Sequence, residues 1–185
     1  MTSLVRQIYA MIFFAAFVAA GHAQQVGEMV QSDLNGDGRV ERFTLLDTGN
    51  GTVDLQIENT GGGVIYAENI VWLGGMGGQP NLEVAANGSL RVLSGNDAVG
   101  RNRWNQVLTV AYRNNAYRVA GFTYSWYDTL NLEDNGTCDL NLLSGRGYLT
   151  KNEVTQDVRT EFAPLPVTQW NDELPFPDEC GLNGY

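Results

Sequence analysis

Histidine is all but missing from this 185-residue chain: its single copy, His22, falls within the first 23 residues. Those residues predict an export signal peptide, with Arg6 near the start, an apolar run over 8–20 and the small-residue exit Gly21-His22-Ala23. Cleavage after Ala23 leaves a chain without histidine. Such a chain has no Ser–His or Cys–His nucleophile pair, no His-ligated zinc site and no side chain whose ordinary pKa lies near neutrality. Long apolar runs are missing too. The 8–20 stretch is shorter than the roughly 20 residues a membrane-crossing helix needs, and no later stretch approaches that length. Position 24 is Gln, so the lipid-bearing cysteine of a bacterial lipoprotein has no counterpart there. Positive charge is scarce: residues 24–185 carry ten basic side chains against 21 acidic ones, a net −11. That balance argues against a nucleic-acid partner and against anionic lipid surfaces. It suits a chain that attracts cations, and equally one whose acidic surface only keeps it in solution.

Cysteine is limited to Cys138 and Cys180. In an exported chain, periplasmic or extracellular, disulfides persist, and the two are expected to pair. Free thiols or an intermolecular bridge are the alternatives. Pairing would pin a segment, 163–185, that holds Pro164, Pro166 and Pro175 and shows little periodicity. The expected organisation is a signal peptide over 1–23, one all-β domain over 24–162, and a Pro-rich tail over 163–185. About 160 residues suffice for one domain with a core and are short for two.

Helical periodicity is equally scarce. Short apolar and polar alternations separated by Asn-Gly, Asp-Gly or Gly-Gly predict an antiparallel meander of hairpins, blade-like or sandwich-like. The clearest hairpin spans 82–93 around Asn87-Gly88, a pair suited to a type I′ turn. Others are expected to join 40–46 to 53–58, 107–112 to 117–124 across Arg113-Asn114-Asn115, and 131–132 to 138–143 across Asp134-Asn135-Gly136. A strand over 64–73 leads into the glycine-rich run 74–78, which lacks the Lys and Ser or Thr of a phosphate-binding loop. The one stretch with helical potential is 152–162, weakened by β-branched residues. Asn50, Asn87 and Asn135 match the glycosylation pattern, and each also stands at an expected turn.

The segment 33–41 places Asp33, Asn35, Asp37 and Glu41 at alternate positions, with Gly36 and Gly38 between them. Calcium takes six to eight oxygens at about 2.3–2.6 Å, and a loop of this spacing can turn those side chains and the Arg39 carbonyl inward. Magnesium, which demands a strict octahedron, fits less well. The alternative is an acidic turn that holds no ion. The twelfth position, where an EF-hand needs a bidentate Glu, is Thr44. The segment instead resembles the Asp-x-Asn-Gly-Asp-Gly-x-x-Asp loop of integrin-type FG-GAP (VCBS-like) repeats, with Glu41 in place of the final Asp. That resemblance implies calcium at the start of a β-strand. Together with the aromatic strand 117–124 and the ending 139–145, the loop is similar to a group of uncharacterised secreted bacterial proteins. The similarity implies fold and compartment rather than activity.

These features favour an exported, non-enzymatic, calcium-stabilised β module that binds a glycan or protein. A carboxylate-dependent glycan hydrolase is the first alternative, because glycosidases need only two carboxyl groups about 5–10 Å apart. Asp128, Glu133, Asp134 and Asp139 lie near Tyr124, Trp126 and Tyr127, although aromatics of this kind also fill cores and acids of this kind also decorate turns. The second alternative is an inhibitor of a secreted hydrolase with 74–78 as its wedge.

Overall fold

A computed structural model of the chain describes residues 23–74 and 78–182. The expected signal peptide, apart from Ala23, and the interior of the glycine-rich run, 75–77, lie outside the described residues. Eleven strands are present among them, and every pairing is antiparallel. The first four, β1 (Gln24–Ser32), β2 (Glu41–Asp47), β3 (Thr52–Glu58) and β4 (Val64–Trp72), form one sheet in chain order. The second sheet also follows chain order. It comprises β5 (Asn81–Val84), β6 (Leu90–Asn96), β7 (Asn102–Arg113), β8 (Ala116–Asp128), β9 (Asn135–Asn141), β10 (Arg146–Lys151) and β11 (Val154–Arg159). The chain is thus a single all-β domain of two meanders with no closed barrel.

Period-two alternation decides which face each strand buries. On β2 the inward positions are Glu41, Phe43 and Leu45; on β3 they are Val53, Leu55 and Ile57. Phe122, Tyr124 and Trp126 face inward along β8, while Thr123, Ser125 and Tyr127 face away. The inward residues of both sheets join in one core.

Three local expectations are corrected. The helical potential of 152–162 is realised instead as edge strand β11, because Asn152 and Glu153 take φ of 48° and 66° and fold the chain back on β10. Positive φ at both central residues is the type I′ geometry, and Asn114-Asn115 (52° and 57°) adopts it between β7 and β8. At Asn87-Gly88 only the glycine is positive (83°). There the Gly88 N–H bonds to the Ala85 carbonyl and the Ala85 N–H to the Ser89 carbonyl, both at 2.8 Å, so the hairpin closes through a longer loop. Residues 131–132 form no strand. Leu132 is exposed in a loop, and β9 pairs with β8 and β10.

Beyond β11 the chain crosses back over the second sheet as a strap, residues 160–182, with short 3-10 turns at Val167–Gln169 and Asp178–Cys180. It is held by the Val119 N–H on the Leu165 carbonyl (2.9 Å), Arg118 Nη1 on the Pro164 carbonyl (2.9 Å) and the Asp172 N–H on the Asn69 carbonyl (2.9 Å). The strap also enters the core, through Val167, Trp170, Cys180 and Leu182. Cys138 on β9 and Cys180 are joined by a disulfide, with Cα atoms 5.4 Å apart.

Candidate functional site

The link between β1 and β2 is the acidic segment 33–40. Gly36 and Gly38 stand at φ of 76° and 83°, which a side chain would resist, and the backbone curls around Asp33. Asp33 Oδ1 accepts the N–H groups of Gly36 (2.9 Å) and Asp37 (3.1 Å), and its Oδ2 accepts that of Gly38 (3.0 Å). Asn35 Oδ1 accepts the Asp37 N–H and Asp37 Oδ1 the Arg39 N–H, each at 2.8 Å. Carboxylate oxygens of Asp33, Asp37 and Glu41 all lie within 4.8 Å of one another.

Glu41 is the unusual member. Its neighbours along the inner face of β2 are Phe43 and Leu45, and it is only 1% exposed. Its Oε2 accepts the Leu34 N–H at 2.7 Å. The Tyr117 hydroxyl, which donates to Asn59 Oδ1 (2.9 Å), keeps its proton well above the ordinary tyrosine range, first because it is buried and next because of the Glu41 charge. Ion pairs among the described residues are Arg42–Glu58 and Arg101–Asp128, so neither Lys nor Arg neutralises the three acids. Burying a carboxylate without a cation is costly, and the donor set is all hard oxygen. The residues therefore fit a divalent ion of the calcium type.

A second site lies between β7, β8 and the strap, where a cavity of about 420 Å³ opens. Its floor is the inner face of the sheet. Trp104 pairs across strands with Trp126, and Gln106 with Tyr124. The Trp104 and Tyr124 rings stack with centroids 5.6 Å apart and planes 20° apart. The opposite wall is Trp170, Asp172 and Phe176 of the strap.

Of the acids considered from sequence, Asp128 and Asp134 line this cavity. Asp128 is held by Arg101, with Nε to Oδ1 at 2.9 Å and Nη2 to Oδ2 at 2.5 Å, and this bond keeps its carboxyl below the ordinary range. Asp134 accepts the Trp126 indole N–H at 3.2 Å. Asp139 is on the outer face, where it accepts the Thr123 hydroxyl at 2.8 Å; Tyr127 is exposed and contributes to the cavity lining. Glu133 is exposed and does not line the cavity.

Asp172 is a cavity residue that sequence reasoning missed. Burial pushes its carboxyl up, partly offset by a hydrogen bond from the Trp72 backbone. A raised folded-state pKa stabilises fully below the unfolded value of about 3.9 and is lost as pH rises through the folded one. Asp172→Asn is therefore expected to unfold at higher urea than the parent at pH 7.5, with the gap closing at pH 3.5. Equal midpoint shifts at both pH values would contradict the assignment. No helix among the described residues is long and apolar enough to cross a membrane. Comparison with protein-family models, curated proteins and solved structures finds no match for this chain.

Proposed function

We propose that this chain is an exported, non-enzymatic β module whose first hairpin is fastened by calcium and which binds a glycan or protein ligand. The carrying observation is the convergence of Asp33, Asp37 and the buried Glu41 without a cationic side chain to balance them. The Asn35 amide oxygen, and the Arg39 carbonyl expected from the motif, would complete the oxygen shell. The ion's contribution is structural. By neutralising Glu41 it would tie the loop to the inner face of β2, and with it the register of β1 on β2. The intrachain disulfide supports the exported compartment.

A ligand that binds only the folded state at a hundred times its Kd adds about 2.7 kcal/mol. For a domain of this size, that raises Tm by roughly 5–11 °C. Scanning calorimetry of residues 24–185 is expected to show this rise with calcium, its reversal by chelator, and a much smaller response to magnesium. Asp37→Ala is expected to abolish it. Identical melting with calcium and with chelator would sink the proposal.

Carboxylate-dependent glycan hydrolysis is kept as a second reading because Asp128, Asp134 and Asp172, whose carboxyl burial pushes up, share a cavity with Trp126. It requires turnover of an oligosaccharide that disappears in Asp172→Asn. Against it, Asp128 is committed to Arg101, and Asp139 faces away.

A further inference from the structure

We infer that the cavity between the aromatic face of β7–β8 and the strap is a binding site for an uncharged, polyhydroxylated ring such as a neutral pyranose. This rests on the binding-module reading and specifies its site.

The inner positions of β7 run Trp104, Gln106, Leu108 and Val110, so Gln106 interrupts an otherwise apolar row. Gln106 is 6% exposed and lines the cavity, and its side-chain amide has no hydrogen-bond partner among the described residues. The Trp170 indole nitrogen, on the opposite wall, is buried and also without a partner. Leaving a buried polar group unpaired costs about 1–3 kcal/mol, which applies to the Trp170 indole N–H; the Gln106 amide is open to the cavity beside the aromatic rings. A ligand that offers a donor and an acceptor to the Gln106 amide would use both of its polar atoms, which a purely apolar ligand cannot do.

The lining sets the acids Asp128, Asp134 and Asp172 against Arg101 and Arg103, so it offers no excess of cations to an anionic ligand. Arg101 is taken by Asp128, and Arg103 Nη1 donates to the Gly100 carbonyl at 2.5 Å. Asp134 accepts from the Trp126 indole. Ring surfaces from Trp104 and Tyr124 and amides from Gln106 and Asn171 face the space, beside the carboxyl of Asp172. The volume, about 420 Å³, lies within the range of small-molecule sites. A pyranose matches this lining, because its C–H faces pack on aromatic rings and its hydroxyl groups both donate and accept.

The test is calorimetric titration of residues 24–185, calcium present, with glucose, galactose, N-acetylglucosamine, maltose and cellobiose. Glucuronate and indole serve as charged and apolar probes. Saturable binding of at least one neutral sugar is expected, weakened about tenfold or more by Gln106→Leu and by Trp104→Ala. Gln106→Leu puts an apolar side chain in an apolar wall; if it fails to fold, Trp104→Ala decides. Binding of indole or glucuronate but no neutral sugar overturns the inference, as does undiminished sugar binding by a folded Gln106→Leu. Asp37→Ala is expected to bind sugar normally at low temperature, so loss of the calcium response and loss of sugar binding are separate results. Cleavage of maltose or cellobiose, read by chromatography, would support the site and overturn the non-enzymatic reading.

Discussion

Replacing both cysteines, Cys138→Ala with Cys180→Ala, is expected to remove about 4 kcal/mol of stability by the chain-entropy model for a sequence separation of 42. At 2–4 °C per kcal/mol for a domain of this size, Tm should fall by roughly 8–16 °C. The site of the bridge makes the loss large. Cys138 pairs with Tyr124 on one side and Leu149 on the other, so it sits well inside the second sheet, and both cysteines are fully buried. The bond therefore ties the strap to the middle of the sheet rather than to an edge. Differential scanning calorimetry of the double variant, and of the parent under reductant, checks it. A Tm within about 2 °C of the oxidised parent would mean that the strap holds without its bridge.

Phe122→Ala is expected to cost about 3–5 kcal/mol, the usual range for deleting a buried aromatic side chain. Phe122 is 2% exposed and joins both walls of the cavity. Its ring lies 6.2 Å from Tyr124 on the same strand, with planes 2° apart. It also lies 6.1 Å from Trp170 and 5.9 Å from Phe176 on the strap. The two perturbations act on one contact, so their costs should not add. If the strap detaches once its bridge is gone, Phe122→Ala costs less in the cysteine-free background, and a double-mutant cycle in urea reads the difference. Additivity within about 0.5 kcal/mol would show that the bridge and the ring hold the strap independently.

What the residues disclosed before the fold was known depended on whether the signal was local. The sequential meander followed from short alternations and turn dipeptides, and three of the four expected hairpins stand where the pattern put them. Pairing of Cys138 with Cys180 followed from there being two cysteines in a chain expected to be exported. β1 left no usable pattern, because it buries only Val26 and carries a register shift between Val26 and Val30. Leu130 and Leu132 mimic a strand in sequence but are 77% and 72% exposed in the loop after β8.

Within the candidate sites, the acids of 33–41 were readable because all of them lie within nine residues. Even there, the burial of Glu41 was visible only as its period-two alignment with Phe43 and Leu45. The cavity was half readable. Trp126, Asp128 and Asp134 were picked out as neighbours in sequence, whereas Asp172 and Trp170 reach the cavity through a strap whose prolines erase any periodicity. Gln106 had a signal that could have found it, a lone amide in the inward phase of an otherwise apolar strand.

The order in which the walls of the cavity are synthesised bears on how the chain matures. β8 ends at Asp128 and the strap that covers it starts only at residue 160, and the covalent clasp on that strap, Cys180, comes later still. In the interval, Trp104, Phe122, Tyr124 and Trp126 form an uncovered sticky face, the kind of surface that nascent chains bury in one another when no helper shields it. Yield on overproduction should then depend on the rate of thiol oxidation more than on the final stability of the folded protein.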